Sequence, residues 1–316
     1  MSSTAREVFD ALTSGTGLLQ PKWLYDDTGS QLYEAITELP EYYPTRVELG
    51  ILRDHAPDIA RLTAATHIAE LGSGASPKTI TMIRGFISHG LLESFTAFDV
   101  NADAAERSVS ELRSLFPDLE FVAEHGDFND GIPRVSTRGP RMLAFLGSTI
   151  GNFLPDQRRR FLTVMHDSLR PGDWLLLGLD LVKDPARILA AYDDSQGLTA
   201  RFISNVLNNI NTVAGSDFDP TKFTYVPSWN ADDQRVEMRL RSNGTQQVRL
   251  AGSVLQLAAG EEILVEVSTK FELHAMIEEL GSVGLSVDHQ FTGADAGRPE
   301  PDFALLVARR PFERLP

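Results

Sequence analysis

The 316-residue chain contains no cysteine. That removes disulfides, thiolate metal ligands and cysteine nucleophiles together, and it fits a reducing compartment. Long apolar runs are also missing: no stretch approaches the ~20 residues of a membrane span. The opening MSSTAREVFDALTSG lacks the charged-then-apolar order of a signal peptide. A cytoplasmic protein without membrane partners is therefore expected. Positive charge is scarce, with 29 Lys and Arg against 44 Asp and Glu, a net −15. A nucleic-acid binder normally carries a basic patch. The nearest thing to one is Arg158-Arg159-Arg160 at the head of a helical segment, where a solvated helix face accounts for it. Small or cationic ligands suit such a field better than anionic polymers. The seven histidines show no His-x-x-x-His spacing, so no metal site is expected. With no large apolar patch to suggest an interface, the expected state is a monomer.

What remains is an ordinary globular composition, long enough for about two domains. The middle of the chain alternates strand-like and helix-like segments, which argues for a parallel sheet. His67–Leu71, Phe95–Val100, Leu119–Ala123 and Met142–Leu146 read as its first four strands, and the unbroken apolar run WLLLGLDL at Trp174–Leu181 as a central one buried on both faces. Ala105, Val109, Leu112 and Phe116 recur at helical spacing, with Asn101 or Asp103 as cap. A helix over Asp156–Leu169 is stopped by Pro171-Gly172. Between about Phe223 and Phe271 the period becomes two. Val236, Met238 and Leu240 face one way and Glu237, Arg239 and Arg241 the other, with Asn243-Gly244 expected to make a type I′ hairpin turn. A last helix over Leu273–Leu280, closed by Gly281, leads to strands near Leu285–Phe291 and Phe303–Ala308, an antiparallel edge pair for the main sheet. The fold class is thus α/β, a Rossmann-like sheet with an antiparallel edge pair plus a smaller antiparallel or mixed domain. Residues 61–195 and 272–316 are assigned to the cofactor domain, 1–60 and 196–271 to the substrate domain.

Glu70-Leu71-Gly72-Ser73-Gly74 follows the first strand, where glycines let the backbone turn tightly and approach a ligand. A lone Gly-x-Gly can equally be a structural turn. Asp99 after the second strand suits the two hydroxyls of a ribose, in NAD or in S-adenosylmethionine. A dinucleotide fingerprint wants a third glycine where this chain has Pro77, and a helix N-terminus for the pyrophosphate. An adenosyl sulfonium carries no phosphate, so the methyl donor is preferred over the NAD-dependent oxidoreductase alternative. Asp127 and Phe128 then fall at the adenine, the carboxylate accepting from its amine and the ring packing on the base. Asn152, in Gly147–Asn152 after the fourth strand, can donate to a carboxylate and accept from an amine, or simply cap the helix that follows. Glu266 and Ser268 lie two apart on one strand and share a face, which is either a pocket wall or a surface pair.

Lys22–Asp26 (KWLYD), Gly29-Ser30 and Leu39–Arg46 (LPEYYPTR) resemble the opening of the histidine Nα-methyltransferases of ergothioneine biosynthesis. ELGSG (Glu70–Gly74), FDV (Phe98–Val100), GDF (Gly126–Phe128), FLGSTIGN (Phe145–Asn152), LGLDLVKD (Leu177–Asp184), AYDD (Ala191–Asp194) and EVSTKF (Glu266–Phe271) continue the resemblance in order over nearly the whole chain. It implies a class I methyltransferase fold, S-adenosylmethionine as co-substrate without a metal, and trimethylation of free L-histidine to the betaine hercynine. It further implies that Tyr42 and Asn152 hold the substrate amine and that Asn152 and Tyr192 bind the carboxylate. Glu266 and Ser268 are implied to hydrogen-bond the imidazole with Tyr25 nearby, and Met238 to wall the ring. Gly72, Lys78, Asp99, Asp127 and Gly147 are implied to line the cofactor site. The same reaction on tryptophan or tyrosine is the alternative; their rings want a larger, more apolar pocket than Glu266 with Ser268 provides.

Overall fold

The computed structural model describes residues 3–13, 18–19, 21–72, 76–127, 131–132 and 138–312. Along the chain run α1 (Ser3–Thr13), α2 (Asp27–Thr37), α3 (Tyr43–Thr63), β1 (His67–Leu71), α4 (Pro77–Ile87), β2 (Ser94–Asp99), α5 (Ala102–Leu115), β3 (Glu120–His125) and β4 (Arg141–Phe145). There follow α6 (Pro155–Ser168), β5 (Trp174–Asp180), α7 (Pro185–Ala190), α8 (Leu198–Ala214), β6 (Phe223–Asn230), β7 (Arg235–Ser242), β8 (Gln246–Leu250) and β9 (Ser253–Leu257). The chain ends with β10 (Glu262–Thr269), α9 (Leu273–Ser282), β11 (Ser286–Gly293) and β12 (Phe303–Arg309). They form two compact units, Met1–Tyr43 with Lys183–Thr269, and Pro44–Val182 with Lys270–Pro316.

The larger unit holds a seven-stranded sheet in the order β11-β12-β5-β4-β1-β2-β3. Strands β1 to β5 pair in parallel, and β12 and β11 close one edge antiparallel. The order reverses between β1 and β4, so a ligand crevice is expected outside the carboxyl ends of those strands. Every residue of β5 is buried, as its unbroken apolar run requires. Leu175, Leu177 and Leu179 join Phe145, Phe161 and Leu306 in one core, with Phe145 and Phe161 ring centroids 4.7 Å apart. Each such side chain contributes about 1.5–3 kcal/mol when removed from water. Helix α5 buries Ala105, Val109 and Leu112, and Asn101 is its cap, accepting from the Ala104 amide at 3.1 Å.

In the smaller unit β6, β7 and β10 form an antiparallel sheet in the order β10-β7-β6. Val236, Met238 and Leu240 are buried on one face of β7, as their period predicts. Helix α8 packs against this sheet and buries Phe202, Ile203, Val206, Leu207 and Ile210. The hairpin expected at Asn243-Gly244 does not form. Strand β8 pairs only with β9, and neither Asn243 nor Gly244 has the positive φ that a type I′ turn needs. The end of β7 is drawn to β10 instead, Ser242 donating to the Glu261 carbonyl at 2.8 Å. The two-residue turn with positive φ at both positions is Ala251-Gly252 (57° and 78°), closing β8 on β9 between Leu250 and Ser253. Gly281 likewise lies inside α9, and the left-handed residue after that helix is Gly284.

The unit boundaries also differ from the sequence expectation of 60/61, 195/196 and 271/272. Nearly all of α3 belongs with the seven-stranded sheet, because Glu48 on that helix is fully buried there against Lys78 and Gly147. Lys183–Thr269 belongs with the smaller unit, where the Lys183 ammonium donates to the Tyr43 hydroxyl at 2.9 Å and lies over its ring.

Candidate active site

At the carboxyl edge of the seven-stranded sheet, Gly72 ends β1 with φ +71° and donates to the Phe98 carbonyl at 2.8 Å. A Cβ there would meet nothing, so the turn is open on that side. Pro77 opens α4 and Ser76 caps it, accepting from the Thr79 amide. Buried Glu70 accepts from the Thr79 hydroxyl at 2.7 Å, which locks the strand to the helix that carries Lys78. Asp99, at the end of β2, accepts from the Asn101 amide at 2.8 Å. Burial raises its pKa against those amide hydrogen bonds. A carboxylate in that state gains from further donors, such as a pair of ribose hydroxyls. Asp127 follows β3; Phe128, Ser73 and Gly74 lie outside the described residues.

After β4 the chain turns through two left-handed residues, Gly147 (φ +74°) and Ser148 (φ +56°). Ser148 is held there because its hydroxyl accepts from the Asp180 amide at 2.9 Å. The turn Thr149–Asn152 follows, closed by Gly151 donating to the Ser148 carbonyl at 2.8 Å. Asn152 therefore ends a short helical turn separated by Phe153 and Leu154 from α6, whose first residue is Pro155. The structure thus sets aside the reading of Asn152 as the cap of α6: the cap position is Leu154.

The smaller unit brings Tyr25, Tyr42, Tyr192, Met238, Glu266 and Ser268 into one neighbourhood. Asp26 caps α2, accepting from the Gly29 amide at 2.7 Å, and receives the Asn205 side-chain amide at 2.7 Å. Gly29 is required because a Cβ there would strike the Leu24 carbonyl. This fixes Tyr25, whose ring meets Tyr33 edge-on at 5.6 Å and Phe202 at 5.5 Å. Glu41 accepts from the Ser195 hydroxyl at 2.8 Å and so ties the Tyr42 segment to the Tyr192 segment. The Tyr42 and Tyr192 rings meet edge-on at 6.2 Å. The Tyr192 and Ser268 hydroxyls are hydrogen-bonded at 2.8 Å. Glu266 is buried on β10 and faces Met238 in register across to β7, just after a bulge between Leu264 and Glu266.

Two members of this cluster carry no signal in the sequence. Tyr33 stands against Tyr42, Tyr25 and Phe202, its ring edge-on to Tyr42 at 6.4 Å. Tyr225 donates to the Tyr192 carbonyl at 2.8 Å. Its pKa is pushed up by burial and by the nearby Glu266 charge. Burial, reinforced by Tyr33, Tyr192 and Tyr25, raises the Tyr42 pKa well above the ordinary phenol value. Tyr42 therefore keeps its phenolic proton.

The profile of the histidine-specific, SAM-dependent methyltransferases matches residues 4–309. The chain is 43% identical to the histidine N-alpha-methyltransferase of Mycolicibacterium smegmatis and 42% identical to that of Mycobacterium tuberculosis. Each alignment covers 96% of this chain and 94% of the relative. The crystal structure of an S-adenosylmethionine-dependent methyltransferase from Clostridium acetobutylicum superposes with a TM-score of 0.52 at 10% identity. It covers 90% of this chain and all of that one, and so shares the fold. No described helix is long and apolar enough to cross a membrane. The family match, the two close relatives and the strand order agree: the chain belongs to the SAM-dependent, histidine-specific methyltransferases.

Proposed function

We propose that this protein transfers three methyl groups in turn from S-adenosylmethionine to the α-amino nitrogen of free L-histidine, producing hercynine. The observation that carries the reading is the buried Glu266 beside Ser268, itself hydrogen-bonded to Tyr192, within a cluster of tyrosines. A buried carboxylate needs N–H or O–H donors, and an imidazole N–H supplies one. A site that hydrogen-bonds the imidazole discriminates against rings that lack the donor.

Asp99, Gly72, Lys78, Gly147 and Asp127 fit the co-substrate chemically: an acidic acceptor for ribose, open backbone at a turn, and a cation for the one carboxylate it carries. When bound, the sulfonium supplies an electrophilic methyl group. The protein's part is to present a nitrogen lone pair in line, an effect of positioning that is worth roughly 7–11 kcal/mol of barrier. Tyr42 and Asn152 are assigned to the amine, and Asn152 and Tyr192 to the carboxylate. Tyr25 sits by the imidazole edge and Met238 against the ring face. In each round the nitrogen pair forms the N–C bond, the C–S pair stays on sulfur, and a proton leaves the amine to water, directly or through the Tyr42 hydroxyl, which passes on its own proton as it accepts one. Three rounds exhaust the N–H bonds, which stops the reaction at the quaternary product. A monomer acting on a small amino acid, without nucleic-acid or membrane partners, is consistent with the acidic charge balance.

Incubation with S-adenosylmethionine and an equimolar mixture of the twenty amino acids, read by mass spectrometry, tests this. One new species at histidine plus three methyl groups is expected. Methylation of another amino acid overturns the Glu266 assignment, and accumulation of mono- or dimethylhistidine as end product overturns trimethylation.

A further inference from the structure

Beneath the proposed cofactor site is a fully buried carboxylate on α3 that the reaction does not use. Glu48 Oε2 accepts from the Lys78 ammonium at 2.7 Å, and both carboxylate oxygens lie 2.9 Å from the Gly147 amide nitrogen. The side chain of Lys78 is 13% exposed and that of Glu48 is not exposed at all, so the anion is internal and the cation reaches outward. Space for the carboxylate comes from a glycine in the middle of β5: a Cβ on Gly178 would collide with Glu48 Oε1. A central strand gives up side-chain packing by carrying glycine, which makes sense where another group must approach closely. Gly147 in turn adopts φ +74°, and a Cβ there would meet the Lys78 ammonium at 3.4 Å.

We propose that Glu48 is a positioning residue for the co-substrate: it holds the Lys78 ammonium and the Gly147 amide in place and balances the Lys78 charge. The inference rests on the reading above that Lys78 and Gly147 line the cofactor site. Bound S-adenosylmethionine has a sulfonium, an ammonium and a carboxylate, a net +1, whereas S-adenosylhomocysteine is neutral overall. A buried lysine without its counter-charge would repel the first more than the second. Glu48 lets the site keep a cation for the carboxylate without a net positive field against the sulfonium.

The test is calorimetric binding of S-adenosylmethionine, S-adenosylhomocysteine and L-histidine to the wild type and to Glu48→Gln, Lys78→Met and the double variant. Glutamine keeps the shape and an acceptor for Gly147 but removes the charge. Glu48→Gln is expected to weaken S-adenosylmethionine about tenfold more than S-adenosylhomocysteine, leaving L-histidine affinity as in the wild type. The double variant removes both charges, folds even if an unpaired Lys78 does not permit the single one to fold, and restores the wild-type ratio of the two affinities. Equal weakening of both adenosyl ligands, or a ratio still altered in the double variant, overturns the role of Glu48. Wild-type affinities in Lys78→Met would instead overturn the cofactor-site reading itself, and the inference with it.

Discussion

Glu266 carries the specificity argument at the scale of single residues. It is buried on β10 beside Ser268, with Tyr225 close enough for the Glu266 charge to raise its pKa. Glu266→Ala removes the acceptor assigned to the imidazole and is expected to raise the L-histidine Kd at least about a hundredfold. The S-adenosylmethionine Kd should move by less than about twofold. Titration calorimetry of both ligands distinguishes this from general damage; an unchanged histidine affinity would remove Glu266 from the pocket. Residue types and spacing alone left Glu266 and Ser268 open as a surface pair, since β10 is apolar on both sides. The family resemblance singled them out. Tyr225 and Glu48 are not legible in the sequence, because each is made relevant by a partner far away in it: Tyr225 by Tyr192, Glu48 by Gly147.

Whole elements were read more reliably than their connections. Strands β1 to β5 carry apolar runs bounded by turns, and the antiparallel edge pair followed from two strands after a last helix, so the sheet was legible from periodicity. The Asn243-Gly244 hairpin does not form because a local turn signal competes with tertiary pairing: Ser242 at the end of β7 bonds to Gly260 and Glu261, just ahead of β10. At the amino edge of the sheet, opposite the proposed site, Asp173 joins three elements. It accepts from the Arg141 amide at 2.9 Å and guanidinium at 2.8 Å, and from the Arg170 amide at 2.9 Å. Arg141 begins β4, Asp173 precedes β5 and Arg170 follows α6. These bonds hold the Asp173 carboxyl below its ordinary pKa although burial opposes them. Asp173→Ala strands the buried Arg141 charge and is expected to cost about 3–5 kcal/mol. Denaturant titration should show that loss, while the S-adenosylmethionine Kd of the folded variant stays at the wild-type value. A variant with wild-type stability would mean that Arg141 finds another partner.

For the molecule as a whole, two effects of acidification oppose each other. The net charge of −15 predicts that lowering the pH relieves self-repulsion and stabilises the fold. Asp99, with its pKa raised by burial, works in the same direction. His67 works against them. It lies buried at the start of β1, its Nδ1 2.8 Å from the Ser94 hydroxyl, and burial first, then the Arg141 charge, lowers its pKa to about 4. An unfolded histidine titrates near 6.5, so between about pH 6.5 and 4 the unfolded chain binds a proton that the folded one refuses. Stability is then lost as pH falls through that window, by up to about 3 kcal/mol. Glu237 enters lower down. Burial works to raise its pKa, but Arg239, Arg235 and Asn230 outweigh it and hold it at about 2, so its contribution is present above about pH 4.5 and is lost only below. Surface repulsion is screened over about 8 Å at physiological salt, whereas the His67 effect is internal and unscreened. At that salt the urea midpoint should therefore fall from pH 7 to pH 4.5, and His67→Gln should flatten the fall by removing the titrating group. A midpoint that rises over this range in the wild type would mean that net charge and Asp99 outweigh the cost of protonating His67; an unchanged pH profile in His67→Gln would remove His67 from the acid response.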